Sequence, residues 1–172
     1  MYLQGKKISL RSVLPADAPA LHKWENDKAN LLAGGRKKPY SQKEIKDFIA
    51  NQKDIYLDKQ LRLMICIPPL LLKEKGLGDE VIGCIDLFDF NAQNLSVGIG
   101  ILIEKKFRKK GYASDALWLL ITYSFEILHL AELNCSIAQD NKASIQLFQK
   151  QKFRKTGEKN KVLNFQLINP SH

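Results

Sequence analysis

No run of about 18 apolar residues occurs in this chain, so no segment is expected to span a membrane. Cysteine is scarce. Cys66, Cys84 and Cys135 each sit inside an apolar segment, and no Cys-x-x-Cys or Cys/His pair has metal-ligand spacing. Three buried, reduced thiols and no metal site are the expectation. The histidines, His22, His129 and His172, are scattered and suggest no ligand set. The opening MYLQGKKISLRSV lacks the apolar core of a secretory signal, so a cytoplasmic location is expected. Internal repeats, low-complexity tracts and linkers are absent too, which leaves one domain over residues 1–172.

What the chain does have is positive charge. Lysine and arginine number 27 against 18 acidic residues, a net charge of +9. Such a balance suits nucleic acid, a membrane surface or an anionic ligand. There is no zinc finger, RRM aromatic signature or basic zipper, so a nucleic-acid partner is not expected. Much of the charge is instead focused on one short loop. Lys105, Lys106, Arg108, Lys109 and Lys110 precede Gly111, and a long apolar segment follows. A helix start already carries partial positive charge, so this placement is unfavourable unless something anionic settles there.

Hydropathy periods set the elements around that loop. Lys7–Val13 alternates as a half-buried strand does. Pro15-Ala-Asp opens a helix of about a dozen residues with Leu21 and Trp24 on its apolar side. Residues 33–40, AGGRKKPY, read as a loop. Ser41-Gln-Lys-Glu44 is a capping box, and Ile45, Phe48 and Ile49 form the stripe of the helix it starts. Leu61–Ile67, Val81–Phe90 and Leu95–Ile103 read as strands of an antiparallel meander, with PPLLLKEKGLGDE as the first connection. Gly98 and Gly100 weaken the third strand unless they mark a bulge or a close backbone approach. Gly111–Leu128 is a buried helix, Leu133–Ala138 a strand reached by a parallel crossover, Asn141–Lys152 an amphipathic helix and Val162–Ile168 a closing strand. The fold class is α+β with a mixed sheet.

Strand, basic glycine loop and helix start, in that order, make a phosphate-binding arrangement. Neither GxxxxGK[ST] nor GxGxxG occurs, so this is not a P-loop or a dinucleotide fingerprint. Arg108-Lys-Lys-Gly111-Tyr-Ala113 is similar to Arg/Gln-x-x-Gly-x-Gly/Ala, the acetyl-CoA loop of the GNAT N-acetyltransferases. About thirty residues on, Asn141-Lys-Ala-Ser144-Ile-Gln-Leu147-Phe148 resembles that family's second signature. The order of elements matches over nearly the whole chain. WEND (24–27) and DLFDF (86–90) resemble the branch with ribosomal-protein N-terminal and spermidine acetyltransferases.

The resemblance implies a mostly antiparallel sheet with helices on both faces and a splayed strand pair. It implies acetyl-CoA as cosubstrate and a primary amine as acceptor, either a polyamine-like small molecule or a protein N-terminus. Ile101, Leu102 and Ile103 would hydrogen-bond the pantetheine arm. Arg108, Lys109, Lys110, Gly111, Tyr112, Ala113 and Ser114 would hold the pyrophosphate. Asn141 and Ser144 would sit near the arm and the thiol end, although Asn141 also reads as an N-cap.

Direct attack needs the amine deprotonated, the carbonyl polarised and the thiolate accommodated. The tyrosine that protonates the thiolate in many relatives is Phe148 here. The glycine usual before the final Phe153 is Lys152, which argues against the left-handed turn expected there. Relatives with a glutamate base on the splayed strand have it where this chain has Gly98. Asp86, acting through water, is the expected base, with Ser144 and Tyr112 as substitute acids. Glu25, Asp27, Asp86 and Asp89 are the acidic candidates for holding a cationic acceptor. Period-two alternation sends Asp86 and Asp89 to opposite faces unless the strand bulges between them. The alternative is a CoA-binding GNAT-like module with weak or no turnover. The strand NFQLI would allow a homo-oligomer by strand addition without requiring one.

Overall fold

A computed structural model describes residues 1–33, 37–68 and 79–172. Part of the expected loop 33–40 and most of the PPLLLKEKGLGDE connection lie outside the described residues. In chain order the elements are β1 (Tyr2–Gln4), β2 (Ser9–Ser12), α1 (Ala18–Glu25), α2 (Lys28–Ala33), α3 (Gln42–Asn51), α4 (Ile55–Asp58) and β3 (Leu61–Ile67). They continue as β4 (Glu80–Asn91), β5 (Ser96–Ile103), α5 (Tyr112–Thr122), β6 (Glu132–Ala138), α6 (Lys142–Lys150), β7 (Arg154–Lys159) and β8 (Val162–Ile168). They fall into two compact units, Val13–Lys53 and the rest of the chain.

The smaller unit holds α1 to α3. A turn of 3-10 helix at Pro15–Asp17 leads into α1, and Asp17 accepts from the Leu14 amide at 2.7 Å. The capping box forms as its residues dictate. Ser41 Oγ accepts from the Glu44 amide at 3.2 Å, and Glu44 accepts from the Ser41 amide at 2.7 Å. Asn26 ties the end of α1 to the segment before α3, exchanging hydrogen bonds with the Tyr40 backbone at 2.6 and 2.9 Å.

The larger unit is a sheet in the order β1-β2-β3-β4-β5-β6-β8-β7 among the described residues. Every pairing is antiparallel except β5 with β6. The parallel pair is joined by α5, as a crossover requires. Ala116, Leu117, Leu119 and Leu120 of α5 are buried in one core with Leu63, Ile85, Leu87, Val97 and Ile99 of the sheet. Each buried leucine contributes about 1.5–3 kcal/mol relative to exposure. The apolar segment expected to be helical through Leu128 changes character at Tyr123. There it widens into a π turn, with the Leu128 amide donating to the Tyr123 carbonyl at 3.1 Å.

The edge of the sheet lies elsewhere than the sequence suggests. The expected edge, β8, is flanked by β6 and β7. Strand addition through NFQLI is thereby corrected, because β6 pairs along its whole length and β7 along Asn164–Gln166. The edges among the described residues are β1 and, on this side, β7, RKTGEK, whose exposed charged side chains suit such a position.

Candidate active site

The parallel pairing of β5 and β6 is short. Ser96, Val97 and Gly98 pair with Glu132, Leu133 and Asn134, and there it stops. Beyond Gly98 the strands part, leaving Ile99–Ile103 of β5 with no strand on that side among the described residues. Alternation decides which backbone groups line the gap. The Glu104 amide donates to Ile82 of β4 at 2.8 Å, and a Cβ at Gly83 would collide with the Leu102 carbonyl oxygen. Leu102 therefore faces β4, and Ile99, Ile101 and Ile103 face the gap. The Ile103 carbonyl is already engaged, accepting from Arg108 Nε at 2.9 Å. Of the three residues expected on the pantetheine arm, Ile101 presents unengaged strand edge, Ile103 shares its carbonyl and Leu102 points away.

At the open end of the gap stands the basic loop. Gly111 is the N-cap of α5 in left-handed backbone at φ 84°, and it has no side chain to satisfy the first amides. The first helical bond runs from the Asp115 amide to the Gly111 carbonyl at 3.2 Å. The amides of Tyr112, Ala113 and Ser114 precede it and are the orphan donors of a helix start. Arg108, Lys109 and Lys110 are exposed around them, whereas Tyr112, Ala113 and Ser114 are half-buried. Gln151, just past α6, donates to both the carbonyl and Oγ of Ser114 at 3.1 Å, tying the two helices together.

Sequence reasoning passed over two members of this loop. Lys7 Nζ donates to the Lys110 carbonyl at 3.2 Å and lies 3.1 Å from where a Gly111 Cβ would be. Asp115 accepts from the Lys7 and Ile8 amides at 2.7 and 3.2 Å. These contacts span about a hundred residues of sequence, so no local pattern announces them.

The second signature folds as a capped helix with a closed end. Asn141 Oδ1 accepts from the Ser144 amide at 3.2 Å, so the N-cap role is real. At the other end the left-handed turn doubted for Lys152 is present, at φ 72°. The Phe153 amide donates to Phe148 at 3.2 Å and the Lys152 amide to Gln149 at 3.0 Å. That is a Schellman motif, and its apolar contact is the edge-on pair Phe148–Phe153 with centroids 5.0 Å apart. Phe148 is thus a core residue.

On the face of the sheet away from α5 lie Arg62, Asp86, Phe88, Gly98 and Gly100, which are cross-strand neighbours. Asp86 is held on both oxygens by Arg62, at 2.7 and 3.1 Å. The glycines have their reason here. A Cβ at Gly98 would lie 2.7 Å from Cδ2 and Cζ of Phe88, and one at Gly100 would lie 3.4 Å from Cε1. The close approach inferred at these glycines is that of an aromatic ring. The register shifts between Phe88 and Asn91, so the strand does bulge after Asp86. Asp89 occupies the bulge at φ 55° and is exposed. In the other unit, Glu25 is half-buried at the end of α1 and Asp27 exposed just beyond it. All three cysteines are buried and free, and burial pushes the Cys135 thiol up to about 12. A cleft of about 530 Å³ lies near the far end of α5, lined by Ile121, Thr122, Phe125 and Asn169 among others. His129 and His172 also line it, but none of the expected site residues does.

The GNAT acetyltransferase domain model matches residues 7–154. The chain belongs to that family, and acetyl-CoA is its cosubstrate for N-acetyl transfer. It is 21% identical over 162 residues to an SPbeta prophage-derived uncharacterized N-acetyltransferase of Bacillus subtilis, covering 94% of this chain and 84% of the relative. To a spermidine N(1)-acetyltransferase of Vibrio cholerae it is 22% identical, covering 89% of this chain and 82% of the relative. Among solved structures, Vibrio cholerae spermidine N-acetyltransferase in complex with CoA and spermine superposes with TM-score 0.77 at 20% identity, over 95% of this chain and 96% of that one. A ribosomal alpha-N-protein acetyltransferase in complex with coenzyme A also gives 0.77, at 18% identity over the whole of both chains.

Proposed function

We propose that residues 108–114 hold the acetyl-CoA pyrophosphate and that the pantetheine arm lies along β5 as an added strand. The observation that carries this is the end of β5–β6 pairing at Gly98 and Asn134, beside a helix start with free amides. The orphan amides and the dipole favour an anion. Arg108, Lys109, Lys110 and Lys7 add long-range attraction. Ile99 and Ile101 offer the arm the strand edge that β6 leaves. The thioester then reaches the narrow end of the gap near Gly98, and Asn141 and Ser144, past the end of β6, are polar candidates for contacts to the arm and the thiol end.

The acceptor is an amine, either a polyamine-like small molecule or a protein N-terminus. Glu25, Asp27 and Asp89 remain candidates for drawing a cationic acceptor. Asp86 changes role in this reading. Both its oxygens are occupied, so it anchors Arg62 rather than abstracting a proton. Phe148 has no proton to give, and a thiolate with pKa about 8.5 can leave without one. One domain over residues 1–172, a cytoplasmic location and a homo-oligomeric state belong to the same proposal. The family model's span and the buried reduced thiols support the first two. A related spermidine N-acetyltransferase of Vibrio cholerae is dodecameric, which supports the third.

The test is calorimetry with acetyl-CoA on the wild type and on Arg108→Glu/Lys109→Glu, followed by thiol release with a panel of amines. Wild-type binding weakened about a hundredfold in the variant is expected. Equal affinities would remove the loop from the site.

A further inference from the structure

We infer that acceptor specificity is set where Phe88 packs over Gly98: the pair leaves no strand-borne base there, and the enzyme selects amines already neutral at working pH. The inference rests on the pantetheine placement proposed above.

Gly98 is the last residue of β5 paired with β6, so it marks the narrow end of the gap. A side chain on Gly98 or Gly100 would project on the face away from α5, the other face being packed with core. That space is taken. The Phe88 ring covers both glycines while remaining 38% exposed itself. A carboxylate carried by β5 at this point would overlap the ring.

Among the described residues of the larger unit, the charged groups nearest the ring on the sheet offer no replacement. Asp86 is diagonal to Gly98, but Arg62 holds both its oxygens. The pair carries no net charge, so it attracts a cationic amine only weakly. Asp89 lies past the bulge and exposed, where its charge is screened. On β6, Glu132 accepts from Asn134 Nδ2 at 2.6 Å.

Transfer without a base then runs on the neutral amine. Its lone pair attacks the thioester carbonyl, the C–N bond forms and the C–S bond breaks. The surplus proton on nitrogen passes through water to the departing thiolate. An α-amine of pKa about 8 is roughly 10% neutral at pH 7, whereas an alkylamine of pKa about 10.4 is about 0.04% neutral. Lower nucleophilicity takes back only part of that difference. Weakly basic amines are therefore favoured over alkylamines and polyamines.

Thiol release measured from pH 6 to 10 with glycinamide, an alanyl peptide amide, n-butylamine and spermidine tests this. At pH 7 the α-amines should exceed n-butylamine in kcat/KM by about tenfold, and the break in each profile should follow the amine's own pKa. Phe88→Ala/Gly98→Glu should gain at least tenfold on n-butylamine and acquire a break independent of the acceptor. Phe88→Leu and Phe88→Ala alone should bring no such break. A shared break near pH 6–7 for all amines in the wild type would overturn the inference. So would a tenfold preference for spermidine at pH 7, or a wild-type profile in the double variant. Calorimetry with acetyl-CoA separates the two levels. Unaltered affinity in the variants assigns any change to the acceptor side, whereas a wild type that binds no acetyl-CoA brings down the proposed site itself.

Discussion

Two residues near the gap share an unusual backbone for different reasons. Gly111, before α5, sits at φ 84°, and Lys152, after α6, at φ 72°. Left-handed backbone costs a residue with a Cβ about 1–2 kcal/mol. At Lys152 the fold bears that cost, because the Schellman bonds and the Phe148–Phe153 contact hold the turn closed. At Gly111 glycine bears no such cost, and a Cβ there would meet only the flexible end of Lys7, its ammonium at 3.1 Å. On the proposed placement of acetyl-CoA, the first turn serves an approaching ligand and the second serves packing. Substitutions at the first should be read in binding, and at the second in stability.

The largest expected effect is at the first turn. Gly111→Glu places a carboxylate where the pyrophosphate is proposed to lie and should weaken acetyl-CoA binding by more than about a hundredfold, measured by calorimetry. The carboxylate would sit near Lys7, so the variant should still melt cooperatively. Full affinity in Gly111→Glu would dissolve the contrast. Next comes Asp115→Ala, which leaves the Lys7 and Ile8 amides without their acceptor. It should lower stability by about 1–3 kcal/mol in urea titrations.

The packing side sharpens the contrast by smaller amounts. Cys135 ionises from its ordinary 9.0 when unfolded, but near 12 when folded because it is buried. Its contribution is complete below pH 9 and is lost as pH rises toward 12. Between pH 8 and 10 the wild type should lose about 1.4 kcal/mol more than Cys135→Val, read from urea titrations at both pH values. Lys152→Gly should stabilise the fold by about 1 kcal/mol and leave acetyl-CoA affinity unchanged, since the turn relaxes without moving. A change in affinity there would mean that the second turn also serves the ligand. Smallest is Phe148→Tyr. Turnover should move less than about threefold, because the thiolate leaves unaided. A tenfold gain would show that a missing acid limits the rate.

Local signals made much of this fold readable. The capping box at Ser41, the meander β3-β4-β5 and the crossover through α5 each follow from period, cap or connection length. The strands β1 and β7 were not readable, since YLQ is short and RKTGEK has no apolar alternation. At the site, the loop 108–114 announced itself by charge and glycine. The partners that give it shape did not. Lys7 meets Gly111, Arg62 meets Asp86 and Phe88 covers Gly98 only through register and a bulge, which a linear pattern does not contain. Phe148 and Lys152 were noticed as departures from a signature, but one structural motif accounts for both.

The clasp of Asp115 on the Lys7 and Ile8 amides joins the residues leading into β2 to α5, the helix proposed to receive the cofactor. Opening that helix end releases two amide protons more than a hundred residues away in sequence. On the placement proposed for acetyl-CoA, their exchange with solvent deuterium should gauge cofactor occupancy and slow as the site fills, although neither residue lies in the motif that announces it.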